Sequence, residues 1–186
     1  MATPMPGRRE QILATAATLF ARDGFHGVSV AELGRACGTS GPALYRHFGS
    51  KDALLAEMLV GSSDELLRGG RARVRAARSA SAALEALIEW HVSFALANRA
   101  LIVVQDRDWA ALPDDAREHV RTVQRKYVEL WARQLRHAQP RLRPVEARAR
   151  AHAVFGLINS TPRSGLLPDS QMASTLSSMA RAALAT

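Results

Sequence analysis

The chain is poor in cysteine, lysine and aromatic residues, and each shortage excludes something. The single cysteine, Cys37, cannot close an internal disulfide, so a small scaffold stapled by bridges is excluded. Aromatic residues make up only 5% of the 186 positions. No apolar run reaches the ~18–20 residues that a membrane helix needs. The start, Met1 to Arg9, has no apolar stretch of the signal-peptide kind. A cytosolic location without membrane contact is therefore expected. Period-two alternation of apolar and polar residues is missing, and β-branched residues are too scattered to build a sheet. Of 25 basic residues only Lys51 and Lys126 are lysine, an arginine bias that looks like high-GC coding.

What remains is a helical chain. At 47% hydrophobic and 23% charged residues it has enough apolar surface for a core. The net charge is +8. Residues 1–55 contribute little of it, since Arg8, Arg9, Arg22, Arg35, Arg46 and Lys51 face Glu10, Asp23, Glu32 and Asp52. Downstream, Arg68, Arg71, Arg73, Arg75 and Arg78 form a run without an acid. A basic balance favours a polyanionic partner, although the run itself reads first as a solvated helix end.

The periodicity predicts a helix over about 7–23, with Ile12, Ala16, Leu19 and Phe20 on one stripe. Asp23-Gly24 ends it. Ser29-Val-Ala-Glu32 is a capping box, with Val28 and Leu33 as its hydrophobic staple, and starts a helix over about 30–36. Cys37-Gly38-Thr39 is a tight turn. Ser40 caps a third helix that holds Pro42 in its first turn and runs to about Phe48. Ser50 caps the fourth, expected over about 51–66, with Gly69-Gly70 breaking or bending it. Five more helices are expected over about 81–97, 99–110, 114–138, 145–160 and 169–184. The fold class is all-α: a three-helix N-terminal domain at 1–50, then a larger helical domain at 51–186.

Two short helices joined by a glycine-containing turn form a helix-turn-helix. Its second helix places Leu44 and Phe48 inward at i, i+4. Its other positions carry residues of exposed type. Residues 9–55 resemble the TetR family of bacterial transcriptional regulators. The resemblance is carried by Ile12 to Phe20, by Gly24-Phe-His-Gly-Val-Ser-Val-Ala-Glu-Leu33, by Ala36-Cys-Gly38, and by Gly41-Pro-Ala-Leu-Tyr-Arg-His-Phe48 followed by Ser50-Lys51. It implies a DNA-binding regulator that is a repressor released from double-stranded operator DNA by a small ligand. A recognition helix lies in the major groove with its first residues toward base edges. Ser40, Gly41, Pro42 and Ala43 offer few hydrogen-bonding groups there, so base contact would be apolar or depend on Arg46. Similarity to the family gives Tyr45, His47 and Lys51 contacts to backbone phosphates. Ser29 and Thr39 complete the DNA-binding candidates. Lys51 at a helix start opposes the dipole, and an anion there would relieve the conflict.

One helix-turn-helix reads few bases, so a homodimer is expected, through the last two helices. The eighth is rich in small residues (Ala147, Ala149, Ala151, Ala153, Gly156), and the ninth presents Met172, Leu176, Met179, Ala180 and Ala183. Helices 4–7 would enclose an effector pocket, with Trp90, His91, Phe94, Gln105, Trp109, Tyr127, Trp131, His152 and Asn159 as candidates. The end of the eighth helix, Leu157 to Pro162, resembles a subset of the family tied to fatty-acyl metabolism, and an acyl or acyl-CoA effector follows as an expectation. Helix 4 joins the two regions, so its tilt is the expected moving part. No cofactor, metal or enzyme activity is expected. There is no glycine-rich phosphate loop, no His-Glu-x-x-His and no nucleophile elbow. Glu89/His91 and Glu118/His119 lack ligand spacing. Cys37 reads as a small hydrophobe rather than a redox thiol. The competing expectation is a helical small-molecule-binding or interaction protein without functional DNA binding.

Overall fold

The structure, a computed structural model, describes residues 7–185, the side chain of Tyr45 excepted. Within that span the chain is helical, with no strand among the described residues. The elements are α1 (Arg8–Asp23), α2 (Val30–Ala36), α3 (Gly41–Phe48), α4 (Lys51–Ala76), α5 (Ala80–Ala97), α6 (Arg99–Asp108), α7 (Asp114–Ala138), α8 (Pro144–Ile158) and α9 (Asp169–Ala185). Single 3-10 turns follow α6, at Trp109–Ala111, and α8, at Thr161–Arg163. No single described helix is long and apolar enough to cross a membrane.

The described residues fall into two compact units that are not contiguous in sequence. One takes the chain up to Ser62 and adds Ala100–His119, and the other holds Ser63–Arg99 and Val120 onward. The helices α4 and α7 each carry residues of both. In the first unit, Ile12, Ala16, Ala17 and Phe20 of α1 are buried with Leu33 of α2, Leu44 and Phe48 of α3 and Leu54, Leu55 and Met58 of α4. Of the stripe that the periodicity assigned to α1, Ile12, Ala16 and Phe20 are buried while Leu19 is half-buried and Ala17 takes an inward place; Leu44 and Phe48 face inward as expected. The capping box forms as written: Ser29 Oγ accepts from the Glu32 amide at 3.2 Å, and the Glu32 carboxylate accepts from the Ser29 amide at 2.8 Å. In the second unit α5 packs on α9 and α8, and α8 on α9.

One sequence expectation is overturned. The fourth helix does not stop near residue 66 but continues through Gly69 and Gly70 to Ala76. The glycines serve packing, not termination. A Cβ on Gly69 would lie 2.3 Å from the Trp90 ring, and one on Gly70 would lie 2.7 Å from the Tyr127 ring. The missing side chains let two aromatic rings lie against the α4 backbone, which is worth more than the roughly 1 kcal/mol of helix propensity each glycine gives up. Arg68 to Arg75 thus lie in the last turns of α4, and Arg78 follows its end. Arg73 lies over the Trp90 ring, 4.0 Å from its centroid, while Arg68, Arg71, Arg75 and Arg78 are exposed.

Candidate nucleic-acid interface

α3 is short and gets its position from its neighbours. Leu44 and Phe48 anchor it inward, and Ser40 Oγ accepts from the Ala43 amide at 3.3 Å as its N-cap. The turn before it uses Gly38 at φ +60, in the left-handed region that favours glycine. The close approach of α2 to α3 requires a second glycine. A Cβ on Gly34 would stand 2.9 Å from the Gly41 nitrogen and 3.0 Å from the Thr39 carbonyl oxygen, and the Thr39 amide donates to the Gly34 carbonyl at 2.8 Å. Gly34 has no signature in the sequence, because a glycine inside a seven-residue helix carries no local signal of what crosses it.

With α3 seated in this way, Ser40, Pro42, Arg46 and His47 are exposed, and Thr39, Gly41 and Ala43 are half-buried. No acidic side chain lies on α3. The Tyr45 side chain lies outside the described residues. Ser29 is exposed, but its hydroxyl is engaged in the capping box, and the two hydrogen bonds from Ser29 hold the Glu32 carboxyl below the usual carboxylate range.

Lys51 is placed differently from a free phosphate ligand. Its ammonium donates to the carbonyls of Phe25 and Val28 at 2.8 and 2.9 Å and lies 4.5 Å from the Phe25 ring centroid. The conflict with the helix dipole is met by two backbone oxygens of the α1–α2 turn. Two further cations at the start of α1 play similar parts. Arg8 donates to the carbonyls of Cys37 and, at 3.3 Å, Gly38, holding the α2–α3 turn. Arg9 donates to the His47 carbonyl, pairs with Glu57 and covers the Phe48 ring. Both oppose the dipole of their own helix, as Lys51 does, and that shared oddity was the available signal. Cys37 is buried, and burial pushes its thiol up, as expected of a small packing residue.

The effector candidates separate. Gln105 and Trp109 are half-buried and belong to the unit that holds α1–α3. Trp90, His91, Phe94, Tyr127, Trp131, His152 and Asn159 belong to the other unit. There His91, Tyr127 and Trp131 are buried around Phe155, whose ring centroid lies 4.8, 5.3 and 5.2 Å from theirs. His91 Nε2 meets Asn159 Oδ1 at 3.3 Å, and burial pushes the imidazole pKa down to about 4, only partly offset by that contact. His91 Nδ1, the Tyr127 hydroxyl and Trp131 Nε1 are buried without a hydrogen bond of good geometry. Burial also raises the Tyr127 pKa, slightly relieved by the neighbouring indole N–H of Trp131. Trp90 is half-buried, donates to the Leu66 carbonyl at 2.9 Å and has Phe94 beside it. His152 is exposed on an open groove of about 580 Å³ between α7 and α8, with Arg121, Arg125 and Arg148.

A short capped helix presenting basic side chains, in a chain with a second, wholly helical unit, defines a class, and comparison with known proteins agrees. A family model described as bacterial regulatory proteins, tetR family, matches residues 12–58, and one described as tetracyclin repressor-like, C-terminal domain, matches residues 77–184. The chain belongs to the TetR family. It is 30% identical over 126 residues to the HTH-type transcriptional repressor KstR2 of Rhodococcus jostii, covering 67% of this chain and 62% of that protein. It is 33% identical over 91 residues to the HTH-type transcriptional activator FasR of Mycolicibacterium smegmatis, covering 49% and 42%. The chain thus spans less than two thirds of either relative's length. Among solved structures, the TetR-family regulator PfmR of Thermus thermophilus superposes with a TM-score of 0.78 at 26% identity, over 91% of this chain and 96% of that one.

Proposed function

We propose that the protein is a homodimeric, DNA-binding transcriptional regulator, a repressor whose hold on operator DNA is released by a small hydrophobic effector. The observation that carries this reading is α3 itself: seated by Leu44 and Phe48, capped by Ser40, and exposing Pro42, Arg46 and His47 with no acid on the helix. In this reading Arg46 reads bases, Tyr45 and His47 hold phosphates, and Ser40, Gly41, Pro42 and Ala43 approach base edges with Thr39 and Ser29 at the margin. Lys51 supports the site from behind.

The dimer is assigned to α8 and α9. Of the residues expected on that face, Ala147, Ala151, Met172, Leu176 and Ala180 are instead buried within the subunit, whereas Ala149, Ala153 and Gly156 on α8, with Val145, and Ala183 on α9 are exposed and Met179 is half exposed, a face of small and apolar groups suited to close helix packing. The effector is assigned to the aromatic cluster of His91, Tyr127 and Trp131 with Asn159, Trp90 and Phe94. Three buried polar atoms without good partners there support a ligand carrying a polar group on a largely apolar body, such as an acyl or acyl-CoA compound. A ligand that binds better to the DNA-incompetent state lowers DNA affinity by the same factor.

The test is binding to a duplex from the protein's own promoter region across a salt series, with acyl-CoAs and aromatic compounds as effectors. Several phosphate contacts give a steep fall of log K with log salt. Tyr45→Ala weakens promoter and random DNA alike, whereas Arg46→Ala also relaxes sequence choice. Equal losses on both duplexes for Arg46→Ala remove its base-reading role. No shift on any promoter duplex removes the regulator reading and leaves a helical small-molecule-binding protein.

A further inference from the structure

α6 reaches back to the first helix. The Arg107 guanidinium donates to the carbonyls of Phe20 and, at 3.2 Å, Ala21, in the last turn of α1. The Phe20 carbonyl also accepts from the Gly24 amide at 2.9 Å, so the guanidinium adds a second donor, and a cation there meets the negative end of the helix dipole. The same guanidinium lies 3.8 Å from the point where a Cβ on Gly24 would stand, and Gly24 has φ +85. Asp108 is buried and turns its two carboxylate oxygens to Arg107 at 3.2 and 3.4 Å, which fixes the long side chain. Beyond Gly24 the chain enters the α1–α2 turn, where Lys51 takes the carbonyls of Phe25 and Val28.

Four backbone oxygens between residues 20 and 28 are therefore held by two cations, and neither cation comes from α1, α2 or α3. The turn is short and carries a glycine at positive φ; the buried side chains of Phe25 and Val28 anchor it from inside, and the two cations hold its backbone oxygens. Its path sets where α2, and hence α3, stands relative to α1. We propose that Arg107 is a positioning residue for DNA recognition: with Lys51 it clamps the α1–α2 turn and so fixes the presentation of α3, without touching DNA. This inference rests on the reading of α3 as the recognition helix. It also makes part of α6 belong functionally to the DNA-reading region, although more than fifty residues separate it in sequence from α3.

The test compares the full chain with its Arg107→Ala and Arg107→Lys variants. Hydrogen exchange reads the amides of 20–29 and, as an internal reference, those of α8 and α9. Fluorescence anisotropy reads binding to the promoter duplex over a salt series. For Arg107→Ala, exchange in 20–29 rises by about tenfold, the loss expected for one charge-assisted hydrogen bond, with α8 and α9 unchanged. DNA affinity falls by a similar factor on promoter and random duplexes, and the slope of log K against log salt stays that of the wild type. Arg107→Lys keeps one donor to the α1 carbonyls and recovers part of both losses. Unchanged exchange in 20–29 overturns the clamp. A slope shallower by about 0.9 overturns positioning in favour of a direct phosphate contact. A wild-type chain that binds no duplex overturns the recognition reading instead, and exchange still reports on the clamp separately.

Discussion

The two compact units are each held together by different physics. In the N-terminal unit long cationic side chains reach backbone oxygens: Arg8 to Cys37 and Gly38, Arg9 to His47, Lys51 to Phe25 and Val28, Arg107 to Phe20 and Ala21. Its helices α2 and α3 are of seven and eight residues, too short to be stable alone. Their ends leave many unpaired carbonyls in a small volume, and arginine and lysine satisfy them. In the C-terminal unit the helices are longer, and the joints are rings: Trp90 and Tyr127 against glycines of α4, and His91, Tyr127 and Trp131 around Phe155. Around their apolar cores, one unit is joined by charge on backbone and the other by aromatic volume. They should therefore respond differently to pH, to added methyl groups and to loss of a single cation.

The largest contrast is expected from acid. His91 is fully buried and neutral, with its pKa pushed down to about 4 from 6.5. The unfolded chain takes up a proton below its ordinary pKa while the folded chain does not. Stability is therefore lost as pH falls from 6.5 toward 4, by about 1.4 kcal/mol per pH unit and up to about 3 kcal/mol in all. The loss levels off below the folded pKa. Denaturant unfolding over that range checks it, with His91→Gln as the non-titrating partner. Equal pH slopes for the two chains would show that the aromatic cluster admits the charged imidazole.

Added methyl groups separate positions on one helix. Gly70→Ala sets a Cβ 2.7 Å from the buried Tyr127 ring, and the expected cost is about 2 kcal/mol after the gain in helix propensity. Gly61→Ala on the same helix meets nothing within 4 Å and is expected to stabilise by about 0.5–1 kcal/mol. Thermal unfolding of the two variants decides it, and two shifts of the same sign would refute the packing role of Gly70.

This pair also marks the limit of what the sequence could tell. Ser29-Val-Ala-Glu32 announces its own helix, because a capping box is written in four adjacent residues and formed as expected. Leu44 and Phe48 announce the inner face of α3 by spacing alone. Gly69-Gly70 carries two opposite meanings locally, a helix stop or a seat for a ring, and only Trp90 and Tyr127 arriving from elsewhere choose between them. Lys51 is similar. Its place at a helix start was legible as an electrostatic conflict, and the answer was equally well an outside anion or a pair of inside carbonyls. Arg107 is a further case: nothing within α6 says that its guanidinium belongs to α1.

Lys51 offers a smaller and sharper test of the charge-on-backbone joint. Lys51→Met keeps the apolar stem and removes both carbonyl bonds and the contact over Phe25, so it should cost about 1–2 kcal/mol in unfolding. A residue serving DNA alone would leave stability untouched and reduce the salt slope of DNA binding by about 0.9. Stability and slope together decide which joint the ammonium serves.

The smallest effect concerns a joint that is neither cation nor ring. Ser29→Ala removes the Oγ that accepts from the Glu32 amide, and the expected cost is about 1 kcal/mol, the usual worth of an N-cap hydroxyl. The Ser29 hydroxyl also donates to the Glu32 carboxylate at 2.7 Å, and that bond is the first cause of the carboxyl's depressed pKa. The substitution should move the Glu32 pKa back toward its ordinary value, while the amide of residue 29 still donates to the same oxygen and keeps part of the depression. An NMR titration of the Glu32 carboxyl reads this independently of stability. Loss of stability with an unmoved carboxyl would mean that the cap acts through the backbone amide alone; movement of both would make the hydroxyl the shared hinge of the box, which sets the start of α2 and so the direction in which α3 leaves the turn.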